Sequence, residues 1–323
     1  MRNNLLLGGA LVLLLGGYFL FVYDRDDTSL PADEVAFAVE DTAAISRIVL
    51  TRYVQGEAVA RVQLDRNETG WTLDGKYAAF LPRVRQMLKA LHLLHLKEVL
   101  HDQGLETAGR LLETVHTRVQ LYDEAGKRIK TLRVGTQTKD ARGTLMQIEG
   151  ADQPYVVELP GLQGYVNAYF PMETDLWREN LLFIADSARI QELAISYPDA
   201  SSSFVLRRPA PGAAWRFVGR EQAPDTARLA AYFASFTGRV YAESFAEANY
   251  PGMMAKLQTQ DPDIVFSVSY FEGETRRLRL YDRSDNLNGF FGWIEGEDEL
   301  LTIQHFVFDK YLIQAADLLG PAL

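Results

Sequence analysis

Ile45-Ser46-Arg47-Ile48-Val49-Leu50, Val62-Gln63-Leu64-Asp65-Arg66 and Gly70-Trp71-Thr72-Leu73 decide the fold, because the chain writes them twice. About 145 residues on, Ile190-Gln191-Glu192-Leu193-Ala194-Ile195 repeats the first segment. Phe204-Val205-Leu206-Arg207-Arg208 repeats the second and Ala214-Trp215-Arg216-Phe217 the third. The helix expected over Arg83–Leu100 has its match at Arg228–Phe245. Gln147-Ile148-Glu149-Gly150 returns as Trp293-Ile294-Glu295-Gly296. Matches in one order at a nearly constant offset are not chance, and a period this long means tandem domains rather than a solenoid.

Within each copy, apolar residues alternate with polar ones at Ile48/Leu50, Val62/Leu64 and Trp71/Leu73, the period of half-buried antiparallel strands. The turns fall at Gln55-Gly56-Glu57 and Asn67-Glu68-Thr69-Gly70. Asn67-Glu68-Thr69 is also a formal glycosylation sequon, and in a chain of bacterial character we give it no weight. Pro82 opens a helix whose stripe is Val84, Met87, Leu88, Leu91 and Leu94. In the second copy Asp225 is the N-cap, and the stripe is Leu229, Tyr232, Phe233, Phe236 and Val240. Further strands follow at Thr117–Tyr122, Lys127–Val134, Thr144–Ile148 and Tyr155–Glu158, with counterparts at Ile264–Phe271, Arg276–Tyr281, Phe290–Ile294 and Leu300–Phe306. Asp309–Leu319 reads as a closing helix. Strand runs on both sides of one helix imply an α+β class: two tandem repeated domains of antiparallel meander sheets, each packed with a helix.

Ahead of the copies lies an unbroken apolar run, Leu5 to Val22, followed by Asp24-Arg25-Asp26-Asp27. As a helix it would be roughly 27 Å long, close to the ~30 Å hydrocarbon thickness of a bilayer. Arg2 and the α-amino group precede the run and net negative charge follows it, so the N-terminus stays in the cytoplasm and the body is exported. A cleaved signal peptide has the same outline. The run is longer than a usual signal core, however, and ends Gly16-Gly17-Tyr18-Phe19-Leu20-Phe21-Val22-Tyr23 without a small-x-small cleavage site. An uncleaved transmembrane anchor in a bacterial cytoplasmic (inner) membrane fits better. Gly9 and Gly16 share one face of that helix, as do Ala10 and Gly17, where another helix could approach closely. Gly and Ala are common in any hydrophobic export segment, and we prefer that plainer account.

The 323 residues carry a net charge of −10, which argues against nucleic acid and anionic lipid headgroups as partners. At 47% hydrophobic and 24% charged the chain can build real cores. It has no cysteine, so disulfides, thiolate metal sites, thiol nucleophiles and a lipobox are all excluded. The expected organisation is an anchor over 1–23, an acidic tether over 24–43, a first repeat over 44–171, a helical connector over 172–189 and a second repeat over 190–323.

The connector holds Leu176-Trp177-Arg178-Glu179-Asn180-Leu181-Leu182, leading into Ile190, Leu193 and Ile195. This block resembles the central signature of the bacterial domain-of-unknown-function family 4340. The earlier Ile/Leu strand, Gly-Trp turn and helix, continued by Gly104-Leu105, is similar to that family too, and the resemblance spans most of residues 40–315. Arg178-Glu179-Asn180 departs from the family's usual Arg-Asp/Asn-Lys. The resemblance implies anchoring by one N-terminal helix and association with gliding-type ABC transporter components that have large extracytoplasmic regions. It implies no catalytic residues.

Chemical motifs are few. Gly70-Trp71-Thr72-Leu73-Asp74-Gly75-Lys76-Tyr77 approaches a phosphate-binding loop, but Tyr77 replaces the Ser or Thr that holds magnesium and Asp74 would repel a phosphate. A strand ending in an Asp-Gly turn is the better reading. His92 and His95 stand three apart in the expected helix, with Glu98 and His101 beyond, but they flank the apolar stripe, and the second copy has Thr237 and Val240 there. The acidic groups Glu149/Asp152 and Glu295/Glu297/Asp298/Glu299 fall at matching inter-strand turns. No catalytic, cofactor-binding or metal-ligating residues are therefore expected. Two aromatic groups, Tyr165/Tyr169/Phe170/Trp177 and Phe290/Phe291/Trp293, either fill cores or mark a partner surface. The expected function is that of a non-enzymatic accessory or scaffold subunit of a membrane complex. An envelope glycan- or peptide-binding module using a groove between the copies is the alternative, and an unrecognised hydrolase the third.

Overall fold

The computed structural model describes residues 35–139, 143–161, 165–283 and 289–320. The expected anchor, the Gly9/Gly16 face and the first part of the tether lie outside the described residues. Among the described residues no helix is long and apolar enough to cross a membrane. The chain divides into two compact units between Arg178 and Glu179, inside the stretch expected as a connector.

The first unit is built on a nine-stranded sheet. Its strands are β1 (Arg47–Val54), β2 (Glu57–Asn67), β3 (Gly70–Leu73), β4 (Tyr77–Ala78), β5 (His95–Val99), β6 (Val115–Tyr122), β7 (Arg128–Gln137), β8 (Thr144–Ile148) and β9 (Tyr155–Glu158). Every pairing is antiparallel, in the order β4-β3-β2-β1-β6-β7-β8-β9-β5. Period-two alternation puts Ile48, Leu50, Val62, Leu64, Val119, Leu121, Leu132 and Val134 on one face, all fully buried. Helix α1 (Leu81–Leu93) covers that face with Val84, Met87, Ala90 and Leu91. Each fully buried side chain of this size contributes about 1.5–3 kcal/mol.

Two expectations for this unit are corrected and one element is added. The helix expected to run to Leu100 ends at Leu93, because His95–Val99 leaves it to pair with β9, matching Leu96 to Val157 and Val99 to Tyr155. A second helix, α2 (Asp102–Thr114), follows β5 and buries only Ala108 and Leu112. The tether joins the body before residue 44: Phe37 and Val39 are buried, Val39 N donates to Leu91 O at 2.9 Å, and Lys130 Nζ donates to the carbonyls of Ala36 and Ala38.

Helix α2 lies on the sheet face opposite α1, over Leu145 and Val156. It can approach because Gly135 sits beneath it: a Cβ there would come within 2.7 Å of Leu112 Cδ2 and 3.0 Å of Leu145 O. Gly135→Ala should therefore destabilise the unit by about 1–3 kcal/mol, with hydrogen exchange of α2 accelerating most. Unchanged exchange in α2 would show that the helix does not rest on this glycine.

The second unit contains β10 (Leu181–Ile184), β11 (Ile190–Ser196), β12 (Phe204–Arg207), β13 (Arg216–Phe217), β14 (Arg239–Tyr241), β15 (Ser244–Phe245), β16 (Ile264–Tyr270), β17 (Thr275–Asp282), β18 (Gly289–Ile294) and β19 (Leu300–Gln304). Eight of them form one sheet in the order β13-β12-β11-β16-β17-β18-β19-β15, while β10 pairs β14 separately. Taking β11 for β1 and β16 for β6, the order repeats that of the first sheet strand for strand, except that among the described residues no strand takes the place of β4. The mixed α+β class and the two antiparallel sheets agree with the tandem arrangement read from the sequence. Helix α3 (Thr226–Phe233) is capped by Asp225, whose carboxylate accepts from Arg228 N at 2.9 Å. It ends well before Phe245, yet Phe236 and Val240 still reach the core. Helix α4 (Met253–Leu257) packs on the other face over Tyr281, Phe291 and Leu300.

Two further expectations are corrected here. The stretch 172–189 is not a helix: it holds one 3-10 turn, Thr174–Leu176, and then strand β10. The closing helix over Asp309–Leu319 is broken into 3-10 turns at Asp309–Tyr311 and Ala315–Leu318, after a short helix α5 (His305–Phe308). The helical spacing of Phe308, Tyr311, Ala315 and Leu318 does bring all four into the core. Between the turns the backbone bonds elsewhere: Tyr197 Oη donates to Ile313 O at 3.0 Å and Ala315 N donates to Ser202 O at 2.9 Å.

Candidate functional site

The residues singled out from the sequence take mainly structural places. Asp74 (φ 50°) and Gly75 (φ 66°) lie in the three-residue hairpin loop Asp74-Gly75-Lys76 between β3 and β4, and Asp74 Oδ1 accepts from Gln63 N at 2.8 Å. The loop is thus a hairpin with an anion at its tip, and Lys76 lies over the Tyr77 ring at 4.5 Å. His92 is in the last turn of α1, its Nδ1 3.1 Å from Val39 O. His95 is on β5 and His101 precedes α2, both exposed, so the three imidazoles do not share a helix face. Of the aromatics, Phe170, Trp177, Phe290 and Phe291 are buried. Trp293 is half-buried and donates Nε1–H to Glu297 O at 2.8 Å.

The repeated Glu-Gly pair has a charge-pairing role as well as a turn. Gly150 (φ 97°) and Gly296 (φ 91°) make the turns, and the glutamate before each is the hub of an ion ladder across the sheet face opposite the main helix. Glu149 pairs with Arg118 and, at 3.0 Å, with Arg128. Glu295 pairs with Arg279 at 2.7 Å and Arg277 at 3.5 Å. Burial works to raise the Glu149 pKa, but the two guanidinium groups outweigh it and hold the carboxyl below its ordinary value. These pairs are part-exposed, so each is worth at most about 1 kcal/mol.

Beside the first ladder, His116 is buried on β6, stacked on Tyr53 with ring centroids 5.0 Å apart, its Nδ1 2.6 Å from Leu112 O. Burial, and then the charges of Arg133, Arg118 and Arg52, push its pKa below the ordinary histidine value. The folded state thus prefers the neutral ring, and the unfolded chain takes up the proton first. Stability should be full above about pH 6.5 and fall as pH drops through that value toward the depressed folded one, with a slope of up to about 1.4 kcal/mol per pH unit. In urea denaturation series across this range His116→Gln should flatten the dependence; an unchanged slope would count against it.

One cleft stands apart from these engaged groups. At the β12–β13 edge of the second unit, Arg207, Arg208, Pro209, Ala213, Ala214, Arg216, Phe217 and Val218 surround an open space of about 550 Å³. Arg208 is buried, stacked 4.7 Å over Trp215 and 5.3 Å over Phe271. It donates to the carbonyls of Ile190 at 2.9 Å, Ala188 at 2.8 Å and Ser187. Arg66 over Trp71 at 4.9 Å repeats the stack in the first unit. Arg207 and Arg216 stand directly opposite each other across the strands, and Glu192 pairs with Arg207. The triplet Glu192-Arg207-Arg216 therefore leaves one positive charge uncompensated, where the matching triplet of the first unit, Arg47-Asp65-Thr72, is neutral. Like charges directly opposite destabilise a sheet unless an anion is supplied. The cleft was not read from the sequence, although aligning the two copies shows Arg216 where the first has Thr72. Among the described residues no group of three or more acids or histidines is placed to hold a metal ion. What the cleft offers is hydrogen bonding and positive charge, the chemistry of recognition.

Comparisons of the chain with protein-family models, with curated proteins and with solved structures each found no match.

Proposed function

We propose that this protein is a single-pass, membrane-anchored extracytoplasmic scaffold, an accessory subunit of a membrane complex of the gliding-type ABC transporter kind. The observation that carries the reading is a sheet order used twice behind an 18-residue apolar run, Leu5 to Val22. Such a body presents two similar platforms from one anchor. The charges on the outer sheet faces support it, since Glu149 and Glu295 are each committed to two arginines within the fold. What supports the transporter association is the resemblance of the block 176–182 to family 4340. A tagged full chain extracted from its native membrane in mild detergent should bring down transporter subunits in fixed ratio. Recovery of the chain alone, from membranes shown to contain those subunits, would overturn the proposal.

A further inference from the structure

We propose that β13 is an open sheet edge that accepts an extended acidic segment of a partner protein as an added antiparallel strand. This rests on the scaffold reading and names where one partner would bind. Its first support is the comparison of the two units. Outside β3 the first unit places β4, antiparallel, with Thr72 opposite Ala78 and Leu73 opposite Tyr77. The second unit repeats the sheet as far as β13 and, among its described residues, adds no strand beyond it. After Gly219 (φ 76°) the chain turns back, and Arg220 donates to Ser203 O at 2.7 Å and Ser201 O at 3.3 Å on the other side of the hairpin.

The second support is the direction of the edge's polar groups. Val218 N donates to Val205 O at 2.8 Å, and Phe217 stands opposite Leu206. Antiparallel strands alternate inward and outward hydrogen-bonding groups, so Phe217 N–H and C=O point away from β12, toward the position that β4 fills in the first unit. An incoming strand would meet both. The third support is charge. Arg216 lies on this edge strand opposite Arg207, which takes the carboxylate of Glu192, and among the described residues no carboxylate pairs with Arg216. A carboxylate on the added strand beside Arg216 pairs with it and makes the row Glu192, Arg207, Arg216 and carboxylate neutral. Pro209, Ala213, Ala214 and Val218 line the adjoining space of about 550 Å³, which gives neighbouring side chains an apolar wall.

The test uses the full chain in detergent micelles and a fluorescent Val-Glu-Val-Glu-Val-Glu peptide, with Val-Lys-Val-Lys-Val-Lys as control. Fluorescence anisotropy should show saturable binding of the acidic peptide alone, weakened at least about tenfold by Arg216→Glu. Hydrogen exchange over residues 215–219 should slow when the peptide is bound. Absence of binding up to millimolar peptide, equal binding to the R216E variant, or unchanged exchange over 215–219 would each overturn the proposal. Since no transporter subunit is present, failure here alongside a successful co-purification removes the edge but leaves the scaffold. Success here with failed co-purification removes the transporter but leaves the edge.

Discussion

Replacing Trp177 by alanine should lower the stability of the first unit by about 3–5 kcal/mol, the range for truncating a large aromatic in a packed core. Its side chain is fully buried among the residues that include Phe170, Val166 and Leu91. Its indole N–H donates to Pro171 O at 2.9 Å. The backbone at this position is also committed, since Phe80 N donates to Trp177 O at 2.7 Å at the start of α1. Alanine keeps those backbone bonds, so the loss reads the side chain alone. In urea denaturation the midpoint should fall with little change in m-value. Trp177→Phe, which keeps most of the volume but not the N–H donor, should lose less. A loss below about 1 kcal/mol for the alanine variant would mean that this residue is a linker element rather than part of a core.

Phe183→Ala should have an effect of the same size, about 3–5 kcal/mol, on the second unit. Phe183 is 1% exposed. Its ring centroid lies 4.9 Å from Phe266, 5.0 Å from Tyr311, 6.0 Å from Phe308 and 6.2 Å from Phe236. Such offset and edge-to-face contacts add about 0.5–1.5 kcal/mol each beyond simple burial. Strand β10 is held in place next to it by Tyr270, whose hydroxyl donates to Ile184 O at 2.9 Å and accepts from Ile184 N at 2.8 Å. Loss of Phe183 should therefore loosen the C-terminal turns that carry Phe308 and Tyr311, visible as faster hydrogen exchange over 305–318. An effect confined to residues 181–184 would show that β10 is peripheral to the core.

These two residues also show how far the sequence could be read. Both fall within 172–189, a stretch expected to be a helical connector, yet each belongs to a core. The strands were legible because Ile48/Leu50, Leu193/Ile195 and their partners repeat at a two-residue period that only a half-buried strand requires. The duplication was legible because the strands around Trp71 and Trp215 and the Glu-Gly pairs at Glu149 and Glu295 recur in order, and the strand orders of the two sheets agree with it. What could not be read depended on pairing at a distance. His95–Val99 continues a helical stripe in sequence but is claimed by β9. Ile313 and Ala315 fit a helix until Tyr197 and Ser202 take their backbone groups. Helix α2 showed too few apolar residues, since it buries only Ala108 and Leu112. The charged edge was hidden for another reason: Arg207 and Arg216 are unremarkable singly and become a site only through the register that sets them opposite.

The central claim is that an N-terminal anchor holds this doubled body outside the cytoplasmic membrane. With no native cysteine, single substitutions report position without background. Ala125→Cys and Ala210→Cys sit on exposed turns, one in each unit, and Asn3→Cys precedes the apolar run. In intact spheroplasts a membrane-impermeant maleimide should label positions 125 and 210 at once and position 3 only after permeabilisation. Protection of 125 and 210 until the membrane is broken, or loss of position 3 from the mature chain, would contradict the account.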